Sequence, residues 1–399
     1  MAGLAAAREL AATGARVVVL EGRARTGGRV WTEHAAGWET PIELGAEFVH
    51  GEPAELFALV RAAGATLDDA DADHLRKTDR GFDSGDGSWG EIGAVLGRAR
   101  RRKKDCSIAE LIASAKMSKD GARMLSGFVE GFHGGAIERI SARSVALQTF
   151  EEPQFRVREG YGKVLAWVEA DARRHGAEIQ CGRTVRRVEW KAGAATALGE
   201  GLSLAARAVL LAVPISILQD GIEIRPDIGR ARSAGVEMGA ALRVVLRFAE
   251  PMRPADVPRG AFVHAPDLEI PTFWLGPDER EPRITAWCGG PRAARIGAQG
   301  PEEIRRVAIR SAAAALDVEP ERFAKKLLGA HAHSFPADPF SRGGYPYQRV
   351  GADLSGAFDP EAGTIFFAGD YTDPAELGTV GAAARSGTTA ARAIREAMD

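Results

Sequence analysis

The chain opens with apolar positions at helical spacing, Leu4 to Ala12, closed by Gly14. An unbroken β-branched run follows, Val17-Val18-Val19-Leu20, and it ends on Glu21. The first pattern predicts a helix. The second predicts a strand buried on both faces, as in a parallel sheet. Residues 52–63 are amphipathic, and 108–115 and 121–132 also carry helical periodicity. From Thr66 to Gly90 the chain is polar, rich in Asp and Gly, and only weakly periodic. Gly160-Tyr161-Gly162-Lys163 opens a helix over 164–175, and strand character returns at 177–180, 185–190 and 208–214. Met238 to Phe248 alternates, which puts Leu242, Val244, Leu246 and Phe248 on one side of a strand. Residues 301–316 place proline in the first turn of a helix. Near the end, Thr364-Ile365-Phe366-Phe367 reads as a buried strand closing on Ala368-Gly369-Asp370. Gly378-Thr379-Val380 then opens a helix running to about Met398.

A helix, a glycine, a buried strand and an acid at its tip make the second half of a dinucleotide-binding βαβ unit. Glu21 can accept both hydroxyl protons of an adenosine ribose. Beside it, Gly22 to Val30 supplies the paired Gly27 and Gly28 together with Arg23, Arg25 and Arg29, which suits a cofactor with a pyrophosphate. A phosphate-cradling G-x-G-x-x-G needs a strand in front of it, and only its last glycine has a counterpart here, Gly3. The pattern therefore predicts a start upstream of Met1, with an apolar strand ending in Gly-x-Gly. The terminal strand and its small-residue helix start form a second site for a phosphate or a ring edge. The nucleotide domain is thus discontinuous, and the segments between its pieces build a cap.

At 399 residues the chain is long enough for two domains with substantial cores. Its net charge of −2 gives no case for nucleic acid or a membrane surface as partner. Cys106, Cys181 and Cys288 lie far apart, so no disulfide framework is expected. His331 and His333 would share a strand face, but no ligand cluster accompanies them and no metal is expected. The basic run Arg98 to Lys104 reads as a solvated helix end. No apolar run approaches the ~20 residues of a spanning helix, and a cytoplasmic location is expected.

Taken in order, Val19-Leu20-Glu21, Gly27-Gly28-Arg29, Leu44-Gly45-Ala46, Gly160-Tyr161-Gly162, Val213-Pro214, Phe367-Ala368-Gly369-Asp370 and Gly378-Thr379-Val380 resemble the motifs of the flavin-containing amine oxidases. That superfamily includes the monoamine oxidases, polyamine oxidases and lysine demethylases. The resemblance implies an α/β fold, with a discontinuous Rossmann-like FAD-binding domain of the glutathione reductase and amine oxidase type and an α+β substrate-binding cap. The implied boundaries are 1–62, 155–218 and 338–399 for the FAD domain, and 63–154 and 219–337 for the cap. It implies cofactor contacts at Gly3, Glu21, Arg23, Gly28, Arg29, Gly45, Ala46, Val185, Gly369, Asp370, Thr379 and Val380. Among these, Val185 matches the valine whose backbone pairs with adenine, and Gly45 and Ala46 would border the flavin. It also implies oxidation of a small-molecule amine, with oxygen as the second substrate; the oligomeric state stays open.

On the substrate side, Tyr345 fits the aromatic position over the flavin face. The second aromatic of the monoamine oxidase cage falls on Thr379, which leaves that cage half open. Gly344 stands where mitochondrial monoamine oxidases carry a flavin-linking cysteine, so noncovalent FAD follows. One departure is clear: Leu242-Arg243-Val244-Val245 has arginine where the family carries a lysine that holds a water at flavin N5. Arg243 is permanently charged and forked; it would hold that water or contact N5 itself, and so act with Tyr345 and Thr379 in the reaction. Two other readings stay open: an FAD-dependent desaturase or protoporphyrinogen-oxidase-like enzyme, and a noncatalytic flavoprotein relative.

Overall fold

A computed structural model describes residues 1–148, 153–228 and 233–398. Its first element is the helix Ala2–Ala12, rich in alanine and leucine, which have high helix preference. Leu4, Ala7 and Ala11 face a core shared with the helix Tyr161–Arg174, which contributes Val164, Val168 and Ala172. The last helix, Val380–Met398, also lies on Ala2–Ala12. A Cβ on Gly387 would stand 2.2 Å from the Ala2 carbonyl oxygen, so the small-residue face of that helix is a packing requirement.

The predicted parallel strands form, but as two separate pairs. Val18–Leu20 runs parallel to Glu178–Gln180. Val209–Leu211 runs parallel to Ile365–Phe367. The strands Val18–Leu20 and Val209–Leu211 both line one large cavity.

A seven-stranded sheet forms the second body. Its strands lie in the order Leu327–Ser334, Ala241–Phe248, Arg283–Gly289, Thr272–Leu275, Phe262–His264, His74–Thr78 and Gly81–Asp83. Because side chains alternate along a strand, the sheet has two chemically different faces. Leu242, Val244, Leu246, Phe248, Val263, Phe273 and Ala286 pack into one core with the helices Gly290–Gly297 and Pro301–Ala315. The alternation of Met238 to Phe248 anticipated this face. On the opposite face, direct cross-strand pairing sets Arg243 beside Trp287, Trp287 beside Thr272, and Thr272 beside His264. A second row on that face runs from Trp274 through Phe262 to His74.

The weakly periodic stretch from Thr66 to Gly90 holds three short strands, Leu67–Asp69, His74–Thr78 and Gly81–Asp83. Two of them have remote partners, which local pattern does not reveal: Leu67–Asp69 pairs with Gln154–Val157, and His74–Thr78 with Phe262–His264, while Gly81–Asp83 folds back on His74–Thr78. The four helices Asp86–Arg101, Ile108–Ala115, Lys119–His133 and Ala142–Leu147 pack as a further cluster. Ile108–Ala115 begins with a reciprocal capping box between Ser107 and Glu110. Among the described residues no helix is long and apolar enough to cross a membrane.

Glu43 joins the small hairpin Thr32–Glu33 and Ile42–Glu43 to the helix Tyr161–Arg174. Its carboxyl accepts from the Tyr161 amide at 2.6 Å and from the Thr32 hydroxyl at 2.7 Å. Burial pushes its pKa up from 4.5 to about 7, against the pull of those two hydrogen bonds. The unfolded chain would release this proton near 4.5, whereas the folded protein keeps it to about 7. Stability is therefore expected to fall as pH rises from 4.5 to about 7 and to level off above it. Glu43→Gln keeps an oxygen that can accept from the Tyr161 amide and removes the titrating proton. Thermal unfolding of this variant should show a flatter dependence across that window; an unchanged slope would assign the dependence to other groups.

Candidate functional site

One cavity of about 2410 Å³ runs between the two bodies. Gly3, Glu21, Arg23, Gly28, Arg29, Gly45, Ala46, Val185, Gly369, Asp370, Thr379 and Val380 all line it, as do Arg243 and Tyr345. Residues drawn from the whole length of the chain thus meet at one surface.

At one end of the cavity, Glu21 closes its strand, and its Oε1 accepts from the Arg23 amide at 2.8 Å. The Arg23 side chain is anchored away from it, on Asp338 at 2.8 Å and the Ser341 hydroxyl at 2.7 Å. Asp338 also meets His333 at 3.0 Å. Burial opposes its ionisation, but the His333 and Arg23 hydrogen bonds hold it well below the usual carboxylate range. His331 turns instead toward Glu33, 3.5 Å away, so the two histidines serve different carboxylates. Gly28 sits at φ +60 with open space where a Cβ would be, which leaves its backbone accessible from the cavity.

In the middle of the cavity, the Arg29 fork grips both oxygens of Asp370, at 2.7 and 2.8 Å, and also donates to the Gly344 carbonyl at 2.9 Å. Gly45 was expected to let a flat ring approach. Its nearer constraint is protein: a Cβ there would stand 1.9 Å from the Arg29 carbonyl oxygen.

The far end is aromatic. Tyr345 and Trp287 lie nearly parallel, centroids 6.2 Å apart. Both donate to one acceptor, the Gly131 carbonyl: the Tyr345 hydroxyl at 2.5 Å and Trp287 Nε1 at 3.0 Å. Gly131 belongs to the last turn of Lys119–His133, where carbonyls lack helical partners. Thr379 acts as a cap on the terminal helix, its hydroxyl accepting from the Ala382 amide at 3.0 Å. The aromatic beside Tyr345 is therefore Trp287, which the sequence reading missed. Its place opposite Arg243 follows from the strand register, which no local pattern in the sequence displays.

Arg243 was expected to hold a water or the ring. Two of its nitrogens are engaged by protein, Nη1 with the Gly45 carbonyl at 3.0 Å and Nη2 with Glu47. Nε is buried and has no partner among the described residues. Glu47, also missed, accepts from Arg156 at 2.8 Å and from Trp274 Nε1 at 3.1 Å as well. Burial raises its pKa, but Arg243, Arg156 and Arg283 outweigh that and hold it at about 2.

The family described as flavin-containing amine oxidoreductase matches residues 1–83 and 109–395. A lysine-specific histone demethylase 1 homolog 2 from Oryza sativa subsp. japonica is 57% identical over 51 residues, 13% of this chain and 7% of the relative. A putrescine oxidase from Kocuria rosea is 44% identical over 63 residues, 16% of this chain and 13% of that protein. The matched stretches thus span small parts of these relatives. The fold is similar to that of the cyclohexylamine oxidase from Brevibacterium oxydans IH-35A, with a TM-score of 0.82 over 100% of this chain and 97% of that one, at 20% identity.

The buried cluster around Glu47 yields a stability prediction. In Glu47→Gln two guanidinium groups lose their common countercharge. Unfolding by denaturant should show a loss of about 3–5 kcal/mol, as when one partner of a buried pair is removed. Adding Arg243→Met should cost less than the sum of the single changes. Strict additivity would show that the two side chains are not coupled.

Proposed function

The chain belongs to the family of flavin-containing amine oxidoreductases, and we propose that it oxidises a small-molecule amine with noncovalent FAD, releasing an imine and, with oxygen, hydrogen peroxide. The observation that carries this reading is the single cavity: the residues expected at the cofactor line one part of it, and an aromatic chamber forms another. When bound, FAD would supply N5 as acceptor for the hydride equivalent leaving the amine α-carbon.

The residues fit such a group. Glu21 would receive the ribose hydroxyls, and the Gly28 backbone and Arg29 would lie along the pyrophosphate and ring. Thr379 and Val380 would meet the ring edge at the start of the terminal helix. Arg243 lines the cavity beside the place the ring would take, with its Nε itself buried. Gly344 carries no thiol, and a Cβ there would stand 2.4 Å from that of Ala241, which supports noncovalent attachment.

The amine must arrive with its nitrogen lone pair free. Walls such as Tyr345, Trp287 and Trp274 disfavour the ammonium form and aim the α-carbon. No side-chain base is assigned. Released imine would hydrolyse in water.

Mixing FAD-loaded protein with amines under anaerobic conditions is expected to bleach the flavin absorbance for at least one amine. No bleaching across a broad amine panel would rule out this function. In Tyr345→Ala the bleaching rate should drop about ten- to a hundredfold with FAD retained, since misplacement of the reacting carbon carries costs of that order. Loss of the flavin instead would make Tyr345 a structural residue. Separately, acid precipitation should leave all yellow colour in the supernatant, and colour in the pellet would show a covalent link.

A further inference from the structure

The aromatic chamber continues past Tyr345 and ends on two histidines. Rings follow one another along the sheet face: Trp287 to Trp274 at 6.0 Å, Trp274 to Phe262 at 5.7 Å, and Phe262 to His74 at 4.6 Å. His74 stacks on His264 at 5.2 Å, and its Nδ1 lies 3.0 Å from His264 Nε2. Trp89 closes on both rings edge-on. His74, His264, Trp89 and Phe262 all line the cavity.

The shared hydrogen bond constrains the pair. A neutral imidazole has one N–H and one lone pair. Whichever ring donates across the 3.0 Å contact, the two outer nitrogens must then be one donor and one acceptor. These are His74 Nε2 and His264 Nδ1, on two rings that both line the cavity. The pair therefore offers a donor and an acceptor to whatever occupies the chamber, and its proton arrangement can invert to suit the guest. Burial, with His74 adding to it, pushes His264 down to about 3, and burial also lowers His74 against the pull of Asp73 and Asp71. Burial thus favours the neutral form of both rings. Uncharged rings offer no countercharge to a second ammonium on a guest, with His264 partly buried and His74 exposed. The cation at this end, Arg123, is already paired with Asp267. An uncharged polar group is the best match.

We propose that His74 and His264 form the far terminus of the substrate chamber and bind a hydroxyl on the amine, in particular the phenolic hydroxyl of an arylalkylamine. The proposal rests on the amine-oxidation reading for which end of the substrate reacts. His264 lies two strands from Trp287 through Thr272, which is about 10 Å. An arylethylamine with a ring hydroxyl bridges such a distance, with the ring between aromatic walls.

Two measurements on FAD-loaded wild type, His74→Phe, His264→Phe and His264→Gln test it. The first is quenching of tryptophan fluorescence by 4-ethylphenol and by ethylbenzene, neither of which is an amine. The phenol should bind about tenfold more tightly than the hydrocarbon in wild type, as expected for one hydrogen bond made in an apolar site. That preference should vanish in both Phe variants and persist in part in His264→Gln. The second is the ratio of kcat/KM for tyramine over 2-phenylethylamine, which should fall about tenfold in the Phe variants. Ratios that are equal in wild type and in variants retaining FAD would overturn the histidine assignment while leaving amine oxidation intact. A phenol preference that depends on the histidines, with neither amine reducing the flavin, would support the terminus and count against amine oxidation.

Discussion

The cavity depends on the grip of Arg29 on Asp370. The two residues come from opposite ends of the chain, and Arg29 also holds the Gly344 carbonyl. A bidentate fork fixes orientation as well as distance. It therefore registers the glycine loop, the terminal strand end and the start of the Tyr345 segment against one another. Asp370 is buried and Arg29 only partly exposed, so solvent screens the pair less than it would at the surface. Without it, each segment could retain its local structure while the pocket they enclose lost its shape.

What the sequence revealed divides along physical lines. The helices Ala2–Ala12, Tyr161–Arg174 and Pro301–Ala315 were legible because periodicity and capping are local properties. The strand Ala241–Phe248 was legible, including which side chains face the core, because alternation is local as well. The residues that the resemblance assigned to a cofactor line one cavity. The strands Leu67–Asp69 and His74–Thr78 were not legible, since remote pairing rather than local pattern makes them.

The same distinction explains the site residues that were missed. Glu47 stands in a stretch read for its small residues, and its importance comes from Arg243 and Arg156, about two hundred and one hundred positions away. Trp287, Trp274, Phe262 and His74 become a continuous wall only when the strand register is known. Arg243 looked exceptional in sequence because it stands where the resembled family carries a lysine. In the folded protein its charge is matched by Glu47, and the unusual residue is part of an ion-pair cluster.

The Gly131 carbonyl, which receives both Tyr345 and Trp287, has a consequence for how this site tolerates mutation. An acceptor supplied by a side chain disappears with a single substitution. This one is main chain, and any amino acid at position 131 would still present it. A Cβ at Gly131 would meet nothing within 4 Å, so even a small side chain could be carried there. The orientation of the two rings is thus insulated from point mutation at its anchor. Drift in chamber chemistry would accumulate instead at the ring positions themselves, where changing one residue reshapes the guest space without releasing its neighbour.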